Sequence, residues 1–294
     1  MLSLAPVYFR DVFSDQGGPV LRVQSGEFPI FNENSYQASA YLKPELTPHK
    51  QSTVMFGTAD GTGSSNNPAV AQHKAIAEAL ERWAFLQTSR SQDAAKYGFN
   101  ADFTSNGMAA FPGFAWQARR RARLEALERY ALIGWWDGQF SHTLSRAPYP
   151  SVGLVRIHHG QSFGEVVVLY HRAPAGFMAY GYASGSTLAS AASRAAVELA
   201  RCEFVISRHR ARGSILPVKD AMEKRCLHFA TPDGYAQFLE RLDMKGTTKA
   251  STPWRTLYDG EIRGPWTRWV KVWRQAVEMP TWDFLDARKM FFFW

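Results

Sequence analysis

Cysteine is scarce in this chain: 294 residues hold two, Cys202 and Cys226. Neither belongs to a CxxC pair or to a Cys/His spacing that suits zinc, which excludes a disulfide scaffold and a zinc ribbon. Both are expected to be buried, reduced thiols of a cytoplasmic protein. No apolar run approaches the ~20 residues that a membrane-spanning helix needs, so no membrane association is expected. The first ten residues lack the basic stretch and apolar core of a secretory signal. Acidic residues are the minority charge, 26 against 34 Lys and Arg, for a formal net charge of +8. That balance favours anionic partners without selecting one. The densest basic run is Arg119, Arg120, Arg121 and Arg123. It comes with no zinc-finger, RRM-like or KH-like pattern, so it reads as a solvated helix face and nucleic acid is not expected as a partner.

What the chain does have is a globular composition, 46% hydrophobic and 20% charged, with 10 Trp and 20 Phe. Its length suffices for a substantial core. Strands are expected near Val20–Val23, Tyr36–Leu42 and Thr53–Phe56, then a Gly/Ser/Asn loop from Gly57 to Pro68. A helix follows over Ala69–Thr88, with Ile76, Leu80 and Ala84 at helical spacing. A loop at Ser105-Asn106-Gly107 leads to a second helix, Ala115–Leu132. Val152–Ile157 and Val166–His171 read as a hairpin closed around Gly160–Gly164. Phe177–Ala183 reads as another strand, followed by the loop Ser184-Gly185-Ser186 and a helix over Leu188–Arg208. A helix at Gly234–Asp243 and a strand at Trp269–Val272 complete the pattern. The tryptophans Trp135, Trp136 and those of Trp266–Trp273 are expected in the core. His158-His159 is expected to be structural, because no third metal ligand accompanies it.

One repeat carries chemistry. Glu78-Ala79-Leu80-Glu81-Arg82 recurs letter for letter as Glu125-Ala126-Leu127-Glu128-Arg129, and Ala196-Val197-Glu198-Leu199-Ala200-Arg201 is a weaker third echo. Side chains three apart share a helix face, so Glu78 projects with Glu81 and Glu125 with Glu128. Read blandly, Lys74–Glu78, Glu78–Arg82, Arg121–Glu125 and Glu125–Arg129 are i,i+4 ion pairs, each worth about 0.2–0.5 kcal/mol. Two matched copies behind glycine-containing loops suggest more. If the helices face each other, four carboxylates converge, and such a cluster repels itself unless a cation is present. Mg²⁺ suits it, a hard cation that takes carboxylate, water and phosphate oxygens. The Gly57–Ser65 loop would offer backbone N–H groups to phosphates.

These segments together resemble the YcaO family. Gly61-Thr62-Gly63-Ser64-Ser65 followed by Glu78-x-x-Glu81-Arg82 is similar to its first segment. Ser105-Asn106-Gly107-Met108-Ala109-Ala110 leading to Glu125-x-x-Glu128-Arg129 is similar to the second, and Tyr182 to Arg201, with Glu198, to the third. The resemblance covers residues 53–208 of a single domain spanning 1–294 and leaves 1–52 unassigned. It implies an α+β fold of mixed and antiparallel sheets packed with helices that carry an ATP and Mg²⁺ site. It also implies activation of backbone amides in a ribosomally made peptide. In the commonest form a Cys, Ser or Thr side chain attacks the preceding amide carbon, the amide oxygen leaves as phosphate, and an azoline results, as in bacteriocin maturation. Related members make thioamides or amidines.

Carried over by motif, Glu78, Glu81, Glu125 and Glu128 would ligate magnesium. Ser64, Ser65, Gln117, Arg121 and Arg129 would bind ATP. The implied partners are a precursor peptide, a separate leader-peptide-binding protein and a flavin-dependent oxidase, and a homodimer is compatible with the family. Thr62 stands where the family's glycine turn carries lysine, and Arg201 where glutamine is common. The tail from Lys289 to Trp294 lacks the proline-rich ending of azoline formers. These departures motivate a second reading, a catalytically impaired scaffold that binds a precursor peptide or a partner enzyme.

Overall fold

The structure is a computed structural model that describes residues 4–31, 33–48, 53–213, 218–244, 246, 254–286 and 288–292. In chain order the elements are α1 (Ala5–Tyr8), β1 (Val20–Glu27), β2 (Tyr36–Leu42), β3 (Gly61–Ser65), α2 (Pro68–Thr88), β4 (Met108–Phe111) and α3 (Ala115–Trp136). There follow β5 (Ser141–Arg146), β6 (Gly153–His158), β7 (Glu165–Arg172), β8 (Met178–Gly185), α4 (Leu188–Ala211), α5 (Ala221–Phe229), α6 (Pro232–Asp243), β9 (Thr256–Ile262) and β10 (Lys271–Val277). The class is α+β: antiparallel sheets ordered β1-β2-β3, β4-β10-β9 and β5-β6-β7-β8, packed with helices. The residues form two compact units, one from 1–52, 58–126 and 256–277, the other from 53–57, 127–255 and 278–294.

In the first unit β2 alternates as a half-buried strand should, with Ala38, Ala40 and Leu42 buried. That face meets Ala71, Ala75, Ala79 and Leu80 of α2 in one apolar core. The helix starts where its chemistry says it should. Asn67 Oδ1 accepts the N–H groups of Ala69 and Val70 at 3.0 and 3.3 Å, and Pro68 occupies the first turn. The stretch Gly57–Pro68, expected as a loop, contains the strand β3 instead. Its glycines answer to packing. A Cβ on Gly61 would lie 2.3 Å from the backbone oxygen of Ala75, and one on Gly63 2.2 Å from that of Ala71. Strand and helix approach so closely that only glycine fits.

In the second unit the four-stranded sheet carries the near-continuous apolar run Val166–Leu169, fully buried, beneath α4. Thr187 and Ser190 cap α4 reciprocally, each side chain accepting the other's N–H. An aromatic cluster closes the core: Phe292 lies 5.1 Å from Tyr180 and from Phe229, and 5.2 Å from Trp136 and from Phe238. Trp135 and Trp266 are buried, as expected of core residues. Thr53–Phe56 is not the expected strand but a set of bends. The N–H groups of Val54, Met55 and Phe56 donate to the buried Glu223 carboxylate at 3.2, 2.6 and 3.3 Å, so a side chain does what a neighbouring strand would do. The strand expected at Trp269–Val272 begins at Lys271, after a short 3₁₀ turn over Pro265–Arg268, and runs on to Val277. Phe293 and Trp294, part of the tail considered above, lie outside the described residues.

A structural repeat links the two units' architecture. β3–α2 and β8–α4 are built alike: a Cβ on Gly181 would lie 2.2 Å from the backbone of Ala195 and Leu199, as one on Gly61 would lie 2.3 Å from that of Ala75 and Ala79. Lys74 Nζ donates to Ser64 O at 2.8 Å, and Arg194 donates to Ser184 O at 2.6 Å. Residues 61, 64, 74 and 78 thus match 181, 184, 194 and 198. The weak third echo is the architectural counterpart of the first EALER copy.

Candidate functional site

The acidic residues gather where α2, α3 and β4 supply the first unit. Lys74, Glu78 and Arg82 recur every four residues along α2 and run beside β3. Lys74 holds Ser64 O and Arg82 Nε donates to Asp60 O at 2.8 Å, while Thr62 Oγ1 donates to Glu78 at 3.5 Å. Glu81 turns toward β4, where its carboxylate accepts the Ala110 N–H at 3.0 Å. As a residue Glu81 keeps some accessible surface, but its carboxylate is desolvated. Burial first, then the charges of Glu125 and Glu78, push this carboxyl well above the usual glutamate range, against the Ala110 N–H and Arg82. Glu81 therefore feels two of the other three expected metal ligands, Glu78 and Glu125, within one unit.

A cation that the sequence did not suggest belongs to the same neighbourhood. Arg274 on β10 is fully buried, donates to the backbone oxygens of Asp102 and Thr104, and lies 3.9 Å over the Phe99 ring. Burial lowers its pKa to about 10, while the charges of Asp102 and Glu125 work the other way. Nothing in a strand's alternation marks such a residue, because an inward strand position is ordinarily apolar.

The remaining expected site residues are placed as follows. Ser64 is buried at the end of β3, and Ser65 Oγ accepts the Asn67 N–H at 3.3 Å. Gln117 is buried in the first turn of α3, and Arg121 one turn on is exposed. In the second unit the Glu128 carboxylate, itself buried, accepts the Ser184 N–H at 2.8 Å. The Arg129 guanidinium lies 5.8 Å from the Tyr182 ring centre. The edge of β8 is thus clamped by Glu128 on its N–H and Arg194 on its carbonyl.

Among the described residues, no group of three or more His, Cys, Asp and Glu side chains could hold a metal ion as it stands. His159 is buried, accepts the Gln161 N–H at 3.2 Å, and burial lowers its pKa to about 4, so it is a neutral structural histidine. Cys202 and Cys226 are free and buried. No helix among the described residues is long and apolar enough to cross a membrane.

Antiparallel sheets packed with helices define the molecule at the level of fold, and a solved structure shares that fold. A chain of the E. coli microcin synthetase McbBCD complex with pro-MccB17 bound matches with a TM-score of 0.53 over 87% of this chain and 87% of that chain, at 11% identity. At that identity the likeness is one of fold. No family model matches the sequence, and no curated protein matches it.

Proposed function

We propose that this protein is a YcaO-type enzyme that uses ATP and Mg²⁺ to activate backbone amides of a ribosomally made peptide, converting Cys, Ser or Thr to azolines. The observation that carries the reading is the desolvated Glu81 carboxylate beside Glu78 and Glu125. Like charges brought together out of water call for a cation. Mg²⁺ usually engages one or two carboxylates and completes its shell with phosphate oxygens and water, so the donor set fits it without an all-protein cage. Within the first unit, Glu81 with its neighbours Glu78 and Glu125 would take the metal. Bound Mg–ATP supplies the phosphoryl group that makes the amide oxygen a leaving group. The protein's part is positioning and charge compensation. The fold likeness to a microcin synthetase that holds its pro-peptide supports a peptide substrate and partner proteins.

The test is phosphate release by the full chain with its precursor peptide and partners. Glu81→Gln, which keeps an acceptor for the Ala110 N–H, is expected to lower it by roughly a hundredfold or more. Unchanged release would defeat the assignment. In parallel, millimolar Mg–ATP is expected to raise the melting temperature of the wild type by mass action.

The impaired-scaffold reading keeps one specific support: Thr62 stands where a phosphate-facing lysine is usual, and Lys74 and Arg82 hold backbone carbonyls. Calorimetry that finds peptide binding without nucleotide binding would favour it.

A further inference from the structure

Helix α3 divides its early turns among three faces. Ala118, Ala122 and Ala126 are buried, and Gln117, Arg121 and Glu125 lie on a second face. Trp116, Arg119, Arg120 and Arg123 share the third, at i, i+3, i+4 and i+7, and all four are exposed. Trp116 is 56% exposed, unusual for so large an apolar side chain on a cationic stripe. One member of the stripe is paired across to β9. Arg119 donates from Nε and NH2 to both oxygens of Asp259 on β9, at 2.6–3.2 Å. It also lies 5.5 Å from the ring centre of Trp273, whose indole N–H donates to the same carboxylate at 2.6 Å. The Asp259 carboxylate also feels the charge of Arg123. Arg120 and Arg123 extend the cationic surface beside Trp116.

We infer that this face of α3 is a docking surface for an acidic peptide that carries leucine and aromatic side chains. The inference rests on the reading of this protein as a peptide-handling enzyme. Charge complementarity selects the sign of the partner. A tryptophan beside guanidinium groups offers an amphipathic contact at small entropic cost, the composition that binding hot spots favour. Nucleic acid is disfavoured by the aromatic arrangement. The stripe itself carries a single aromatic ring, Trp116, and the Arg119 guanidinium sits over the neighbouring Trp273, an arrangement unlike the successive ring platforms on which bases stack.

Fluorescence polarisation on the full chain tests this. The probes are a labelled Asp/Glu-rich peptide with interspersed Leu and Trp, its Asn/Gln counterpart, and a single-stranded oligoribonucleotide. The acidic peptide is expected to bind at least about tenfold more tightly than its amide counterpart. Arg120→Glu with Arg123→Glu should remove that preference, and Arg120→Lys with Arg123→Lys should keep most of it. The charge-reversed protein should retain the Mg–ATP melting shift of the wild type. Equal binding by the reversed and native proteins, absence of acidic-peptide binding, or tighter binding of the oligoribonucleotide would each overturn the docking surface. Loss of the Mg–ATP shift in the wild type would instead count against the enzyme reading, so the two failures are distinguishable.

Discussion

Glu81 concentrates the physics of the candidate site, and its titration has a sign that can be measured. A carboxyl whose value in the folded protein lies above its unfolded value prefers to keep its proton on folding. Its contribution to stability is full below the ordinary glutamate value and is lost as pH rises through the raised one. Without metal, Glu81→Gln is therefore expected to melt higher than the wild type at pH 8, and the gap should close as pH falls toward the ordinary glutamate range. Thermal melts in chelator across that range check it. Saturating Mg–ATP should narrow the gap by stabilising the wild type at the higher pH. A gap of opposite sign would mean that the Ala110 N–H and Arg82 outweigh burial and the neighbouring charges.

The glycine-faced strands make a different kind of prediction. Because a Cβ at Gly61 or Gly181 would sit 2.2–2.3 Å from backbone atoms of the packed helix, neither helix can yield by moving a side chain. Gly61→Ala and Gly181→Ala are each expected to destabilise by about 1–3 kcal/mol or more through overpacking. Gly26 has no atom within 4 Å of its Cβ position, and its alanine variant should be close to neutral. Urea denaturation of the three variants separates a packing role from a loop role. Equal stability of all three would show that β3 and β8 do not pack as described.

The second unit depends on its aromatic cluster, to which the far end of the chain contributes. Phe292 is fully buried among Tyr180, Phe229, Phe238 and Trp136. The chain leading to it is tied down by Arg225, which donates to the backbone oxygens of Phe284, Asp286 and Lys289. Phe292→Ala is expected to cost about 3–5 kcal/mol, read as a fall in the denaturation midpoint. A near-neutral result would mean that the tail does not complete the core.

Much of this architecture was legible in the residues. β2 has the expected bounds Tyr36–Leu42, and the hairpin β6–β7 and helices α2 and α4 stand within a few residues of theirs, because alternation and helical spacing report burial directly. The mostly exposed β5 and the mostly half-buried β9 escaped notice, since Ser141–Arg146 and Thr256–Ile262 lack a clean apolar rhythm. β3 was hidden by its glycines, which imitate a loop when read along the chain and serve close packing when read across it. The repeated EALER letters pointed to acidic helices, and the structure brings Glu78, Glu81 and Glu125 within electrostatic reach.

Local patterning was enough to specify α and β elements in alternation, with repeated glutamate pairs on two helices, because that information lies within one or two turns of each residue. Which carboxylates meet, that Arg274 is buried beside them, that Gly61 and Gly63 face a helix, and that Glu198 rather than Glu125 is the architectural counterpart of Glu78 were decided by tertiary packing. Those outcomes depend on contacts between segments far apart in the chain, and no local spacing encodes the closeness of two backbones.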